Sequence, residues 1–282
     1  MSTNQPVKVV LVNDTSLENT HFGCQLVGQT IREQLCRANA ELIAAFPLNF
    51  KPAFARPYFR QADLVLINGE GSIHHGKNLH LLHLADEYPS ALINCIYQEN
   101  GFQPSLKNFL YISARESLSA EEIRKQGIAC DITPDLLFGS SMLRATPRTR
   151  QNQELGITDN VVNPASGFSP KAPLAYDILS NMVRCKRIVA GRFHAAVAAC
   201  VMGIPFSTWD SNTWKTRGLM QDIGIEHLHF ETQQGAIANV PDELDPRIPE
   251  YTLKARGRIE KTFEQLLATV RFRLHQPLHK TA

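Results

Sequence analysis

The chain reads as an α/β protein made of two successive units, each a parallel sheet with helices on its faces, and three features carry that expectation. Wholly apolar runs such as Leu64–Ile67 and Ile188–Ala190 have the length and composition of strands buried on both sides. They alternate along the chain with stretches of helical periodicity, the pattern of strand–helix–strand units. A polar stretch over 139–159, carrying Arg144, Pro147, Arg148 and Arg150 without a clear period, separates a first series from a second. The expected units are residues 1–142, residues 143–248 and a last helical segment, 249–282. A length of 282 residues accommodates them.

In the first unit, Val7 to Val12 is the opening strand, and Cys24 to Ala38 follows as a helix because Leu26, Val27, Ile31 and Leu35 share one face. Glu41–Phe46, Leu64–Asn68, Ala91–Ile96 and Phe109–Ala114 continue the strand series. Ser119-Ala-Glu-Glu122 has the form of a capping box, with Leu118 and Ile123 placed as a staple, so a helix is expected from about Ala120 to Lys125, closed by Gly127. In the second unit, strands are expected near Thr158–Val162 and at Ile188–Ala190, Phe206–Trp209 and His227–Phe230. Helices are expected at Leu174–Cys185 and Phe193–Met202. The last helix places Ile259, Phe263, Leu266, Leu267 and Val270 on one face and Lys254, Arg258, Lys261 and Arg271 on the other.

Composition narrows the function classes. Hydrophobic content of 43% with 20% charged residues is that of a globular chain, and 29 basic against 27 acidic residues leave no basic footprint for nucleic acid. The six cysteines show no CxxC spacing, so reduced, buried thiols are expected. The polar Met1–Pro6 leads straight into a strand, with no signal peptide or membrane span, so the expected location is cytoplasmic. On that reading the sequon at Asn13-Asp14-Thr15 is inert. The basic face of the last helix is a candidate for peripheral contact with the inner face of the membrane or with an acidic acceptor, although packing of its apolar stripe explains it more simply.

Chemistry concentrates where strands end. Leu64-Val-Leu-Ile-Asn-Gly-Glu-Gly-Ser72 empties a strand into a glycine-rich turn, where backbone N–H groups can approach a ligand, making Gly69, Gly71 and Ser72 candidates; a turn needing glycine for its own geometry explains them equally well. Gly71 to Lys77 also fits GxxxxGK, but Asn78 stands where a P-loop places its metal-binding hydroxyl, which argues against nucleotide hydrolysis. His74, His75, His80 and His83 lack a completing Cys or carboxylate, and no metal is expected. Arg115 leaves a strand just before a helix, placed either to grip an anion or to pair with Glu116 or Glu122. Arg192 and His194 follow Gly191 at another strand exit, and Ser211, Asn212 and Lys215 follow the next strand, so the five should be neighbours at a sheet edge that suits an anion. Ser211 or Asn212 is the expected cap of the following helix.

Taken together, Leu64-Val-Leu-Ile-Asn-Gly-Glu-Gly-Ser-Ile-His-His75, Ser113-Ala-Arg-Glu-Ser117, Gly127, Asp135-Leu-Leu-Phe138, Gly191-Arg-Phe-His-Ala195, Gly203-Ile-Pro205 and Ser211-Asn-Thr-Trp-Lys215 resemble the polysaccharide pyruvyltransferase family. The resemblance covers about residues 64 to 224. The chain departs from the family at the amino end, where Asn13-Asp-Thr-Ser16 and His21-Phe-Gly-Cys24 stand in place of an Asn-x-Gly-Asp turn. The resemblance implies two Rossmann-like domains in a GT-B-like arrangement, with a final helix crossing back to the first. It also implies transfer of a pyruvyl group from phosphoenolpyruvate, as donor substrate and without a cofactor, to a sugar hydroxyl of a saccharide or lipid-linked saccharide. Arg115 and Arg192 would then hold the donor's phosphate and carboxylate, and His194 would be an anion ligand or general acid. Two further readings stay open: a GT-B glycosyltransferase using a nucleotide-activated sugar, such as a CMP-linked acidic sugar, and a noncatalytic sugar- or anion-binding protein.

Overall fold

The computed structural model describes residues 5–17, 21–146, 151–161 and 175–275. The first half runs β1 (Val7–Val12), α1 (Phe22–Arg37), β2 (Ala40–Phe46), α2 (Pro52–Phe59), β3 (Leu64–Asn68), β4 (Ile73–His74), α3 (Leu84–Glu87), β5 (Ser90–Cys95), β6 (Tyr97–Gln98), β7 (Tyr111–Ala114), α4 (Ser117–Arg124) and β8 (Asp131–Ile132). The second runs α5 (Ser141–Ala145), β9 (Gln153–Ile157), α6 (Ala175–Met182), β10 (Cys185–Ala190), α7 (Phe193–Met202), β11 (Phe206–Trp209), α8 (Lys215–Ile223), β12 (His229–Phe230), α9 (Gln233–Ala238) and α10 (Arg247–Leu274).

Six parallel strands form the first sheet in the order β2-β1-β3-β5-β7-β8, and four form the second in the order β12-β11-β10-β9. A small parallel pair, β4-β6, sits beyond the ends of β3 and β5. This is the two-part, Rossmann-like α/β architecture the sequence predicts, with parallel sheets flanked by helices. Because all the strands of a sheet run the same way, each sheet presents its strand ends on one edge, where loops can converge.

Alternation along the strands divides the core. Val9 and Leu11 of β1 face one apolar cluster, with α1, α7 and α10, while Val10 and Val12 face a second, with Val65, Ile67 and Leu92. The first cluster is continuous through the turn at Leu136–Gly139 into α7, so the halves share one core. α10 seals it: Ile248, Ala255, Ile259, Phe263, Leu266, Leu267 and Val270 are buried along one stripe. The helix packs on α7 and α8 of the second half and on α1 and β1 of the first. Arg271 Nη2 donates to the carbonyls of Ala38 at 2.7 Å and Asn39 at 3.0 Å, fastening its far end to the first half.

Several local expectations are corrected. α4 starts at Ser117, three residues before the expected start, because Glu116 rather than Ser119 is its cap: both carboxylate oxygens accept the Ser119 N–H, at 3.2 and 3.1 Å. The stretch taken as a linker holds α5 and β9, and the strand expected near Thr158–Val162 lies earlier, at Gln153–Ile157. Pro147, Arg148, Arg150, Val162 and Leu174 lie outside the described residues. After Gly71 the chain enters β4 rather than a helix, so the P-loop-like spacing has no P-loop geometry. His80 lies in a short 3-10 turn and His83 just before α3. Cys36 is exposed, against the expectation of buried thiols, because it sits on the solvent side of α1. Among the described residues no helix is long and apolar enough to cross a membrane.

Candidate functional site

The strand-end edges of the two sheets face each other. On the first edge, β1 runs into Asn13, which takes a left-handed φ of 56°, and β5 ends through Asn94 at 53°. Asparagine tolerates this conformation because its short amide bonds locally. Asn13 Nδ2 donates to Asn68 O at 2.5 Å and Ser72 Oγ at 2.9 Å, Asn94 Nδ2 donates to Asn68 Oδ1 at 3.2 Å, and Asn94 Oδ1 accepts the Leu136 N–H at 3.3 Å. These amides hold the loop after β3 at a fixed height. Glu70, at its tip, accepts from Thr15 Oγ1 at 2.6 Å, Cys24 Sγ at 3.2 Å and Asn68 Nδ2 at 3.3 Å.

The second edge answers with α7 and α8. His194, in the first turn of α7, puts Nε2 at 3.3 Å from Glu70 Oε1 and 3.7 Å from Asp135 Oδ2. A β-carbon on Gly23 would collide with the His194 ring, so only glycine lets α1 come this close to α7. Across the same gap, the Trp214 N–H donates to Gln98 Oε1 at 3.1 Å and the Ser117 N–H to Asp222 Oδ2 at 3.0 Å.

The charged groups divide into two kinds. Arg115 is almost sealed, with a side chain 1% exposed; its Nη1 lies 3.3 Å from Asp135 Oδ2 and its guanidinium stacks 4.2 Å from the centre of the Phe193 ring. Arg192 grips Asp159 in a fork, Nε to Oδ1 at 3.2 Å and Nη2 to Oδ2 at 2.7 Å. His194 faces two carboxylates. Among the described residues Lys215 has no such partner: its Nζ donates to the neutral Asn212 Oδ1 at 2.7 Å. Burial lowers its pKa, and the charges of Arg115 and Arg192 lower it further, outweighing Glu70, to about 7. Nearby, burial and the charges of His75, Lys215 and Lys77 push His74 down to about 4. Asp135 goes the other way: burial raises its carboxyl, but His194, Arg115 and the Leu137 N–H together hold it below the usual range. Asp135 and Asp159 are taken up by the two arginines, and Lys215 has an amide rather than a carboxylate at hydrogen-bond distance.

Arg115, His194, Arg192 and Lys215 thus meet in one buried cluster where the two edges close on each other. Asn212 belongs to it through Lys215, and Ser211 Oγ lies 3.3 Å from Asn212 Oδ1. Neither Ser211 nor Asn212 caps α8, whose cap position is Trp214 with no side-chain bond, because Asn212 is engaged by Lys215 instead. Arg115 pairs with neither Glu116 nor Glu122. Gly69 has a packing reason to be glycine, since a β-carbon there would stand 2.7 Å from Cys95 Cα. Gly71, at φ 60°, needs glycine for its backbone alone, and Ser72 Oγ braces the loop by donating to Glu70 O at 2.8 Å.

No family model and no curated protein matches this chain. Among solved structures, an uncharacterized protein from Klebsiella pneumoniae superposes with a TM-score of 0.52 at 11% identity, covering 80% of this chain and 93% of that one. An O-GlcNAc transferase mutant from Thermobaculum terrenum gives 0.48 at 10% identity, covering 97% and 68%. UDP-GlcNAc 2-epimerase from Neisseria meningitidis bound to UDP-GlcNAc gives 0.45 at 11%, covering 94% and 100%. The likeness is one of fold.

Sequence reasoning missed the carboxylates and the amino-terminal groups of the cleft. Glu70 lies inside the glycine-rich turn that was singled out, and a charge between two glycines at the exit of an apolar strand was the available signal. Asp135 opens Asp135-Leu-Leu-Phe138, and His21 and Cys24 bound His21-Phe-Gly-Cys24. Asp159 carried no local signal at all.

Proposed function

We propose that the cleft holds a small dianionic donor and that the protein is an enzyme, a transferase that moves the pyruvyl group of phosphoenolpyruvate onto a sugar hydroxyl of a cell-surface polysaccharide precursor. The observation that carries this reading is Lys215, a buried amine whose hydrogen-bond partner among the described residues is an amide and not a carboxylate, brought to about 7 by burial and by Arg115 and Arg192. A phosphate or carboxylate seated beside it supplies the missing countercharge, in a site where burial strengthens the attraction. The family resemblance supplies the donor's identity.

An amine titrating near neutrality is suited to give and take a proton at working pH. In this reading Lys215, rather than His194, protonates the methylene carbon of phosphoenolpyruvate, and the central carbon becomes oxocarbenium-like. A sugar hydroxyl oxygen bonds to that carbon and its proton returns to the lysine. The carbon–oxygen bond to phosphate breaks with its electron pair on the phosphate, and a second hydroxyl of the same sugar closes the ketal, its proton leaving with inorganic phosphate. Arg192, held in orientation by Asp159, is placed to steady the departing phosphate. Arg115 acts through its charge, sealed from contact, and His194 braces the Glu70 loop.

Calorimetric titration of wild type and Lys215→Met with phosphoenolpyruvate and with CMP, followed by phosphate release on lipid-linked saccharides, tests this. The expected result is phosphoenolpyruvate binding that the variant loses, and phosphate release that needs an acceptor. CMP binding, with CMP release from a CMP-linked acidic sugar, would reassign the cleft to nucleotide-sugar transfer. Binding without turnover on any acceptor would leave a noncatalytic anion-binding protein, and binding of neither ligand would refute the cleft as a donor site.

A further inference from the structure

On the amino-terminal side of the same site lies a group of side chains that the proposed reaction does not consume. A ring nitrogen of His21, Sγ of Cys24 and a ring nitrogen of His194 all lie within 4.8 Å of one another. Glu70 Oε1 lies beside two of them, 3.2 Å from Cys24 Sγ and 3.3 Å from His194 Nε2. We infer that His21, Cys24 and His194, with the Glu70 carboxylate beside them, form a binding site for a zinc-class divalent cation that ties α1 to α7 across the two halves.

Four observations carry the inference. Tetrahedral zinc bonds of about 2.0 to 2.3 Å to N, O and S set ligand–ligand edges of roughly 3.3 to 3.7 Å; the Glu70 contacts, at 3.2 and 3.3 Å, sit at the short end of that spacing, and the three grouped donors lie within 4.8 Å of one another. The donor set of two imidazoles, one thiol and one carboxylate suits zinc or cobalt(II) and not magnesium or calcium, which take all-oxygen shells. His194 is 7% exposed, and among the described residues its Nε2 makes no hydrogen bond of good geometry, its nearest acceptors being the Glu70 and Asp135 carboxylates at 3.3 and 3.7 Å. Buried polar atoms left without a partner are uncommon and ask for one. Finally, the ligands come from well-held elements: His21 caps α1 through Nδ1, accepting the Gly23 N–H at 3.2 Å, Cys24 lies three residues on along the first turn, and Glu70 is fixed by Thr15. The Asp135 carboxylate, 3.7 Å from His194, adds negative charge behind the ligands.

The site does not depend on pyruvyl transfer, in which Lys215 handles the proton, and its test needs no donor or acceptor. Full-length protein carrying Cys36→Ser, to remove the exposed thiol, is stripped with a chelator and titrated with zinc against a chromophoric competitor. It is also titrated with cobalt(II) while the near-ultraviolet and visible spectra are recorded. One equivalent of zinc should bind and raise the melting midpoint. Cobalt should give a thiolate-to-metal charge-transfer band with tetrahedral visible bands. In that background Cys24→Ser should lose the band, and either Cys24→Ser or His21→Gln should weaken zinc binding by about 100-fold or more. Absence of the band in the Cys24-containing protein, unchanged zinc affinity in both variants, or loss of binding on replacing His75 and His83 instead would overturn the inference.

Discussion

Replacing Lys215 with methionine should stabilise the protein at mildly acid pH and lose that advantage as the pH rises. The drop from 10.5 to about 7 corresponds, at about 1.4 kcal/mol per pH unit, to about 5 kcal/mol against the charged amine in the folded state. The side chain is 9% exposed, so solvent screening takes little away. The groups around it are Arg115, Arg192 and His74, which the ammonium opposes, Glu70, which it favours, and Asn212, whose Oδ1 accepts from Nζ. Methionine keeps most of the volume and gives up that hydrogen bond, worth about 1 kcal/mol. The expected gain at pH 6.5 is therefore about 2 to 4 kcal/mol. Between about 7 and 10.5 the unfolded lysine holds a proton that the folded one has lost, so wild-type stability climbs with pH across that window and is flat below it. Urea unfolding of both proteins at pH 6.5 and 9 reads the difference. A variant less stable than wild type at pH 6.5, or a gap of the same size at both values, would refute the argument that Lys215 lacks a countercharge.

Three further substitutions probe the frame around the cleft. Burial raises the Glu116 carboxyl from 4.5 to about 7, against its bonds to Ser119 and the charge of Arg115. Wild-type stability should therefore fall between those values as pH rises, and Glu116→Gln should melt higher at pH 8 by the equivalent of about 3 kcal/mol, with little difference at pH 4.5. Gly69→Ala drives a methyl to 2.7 Å from Cys95 Cα, which is backbone and must shift. A loss of about 1 to 3 kcal/mol in denaturant midpoint is expected, and a wild-type midpoint would contradict the close approach. Phe263→Ala opens the core where α10 spans both halves, with an expected loss of about 3 to 5 kcal/mol. Hydrogen exchange should then speed up in α1 and α7 together; faster exchange in one alone would mean the halves do not share that core.

What the sequence determined by itself is the local scaffold: β3 and β11, and the small-residue helix α7, begin and end where apolar runs and their glycine and proline boundaries place them. Backbone hydrogen bonding and side-chain periodicity act over a few residues, so the information lies in the segment itself. The strand exits, and with them Arg115, Arg192, His194 and Lys215, were legible for the same reason. Only the tertiary structure decided what those side chains meet. Arg115 finds Asp135, twenty residues on, rather than its neighbours Glu116 or Glu122. Glu116 turns to cap α4, and His194 reaches Glu70, from the other half of the chain, beside Cys24. Lys215 is left with an amide. Charge pairing and burial depend on distances set by how two sheets close on each other, and nothing within reach of a single segment encodes them.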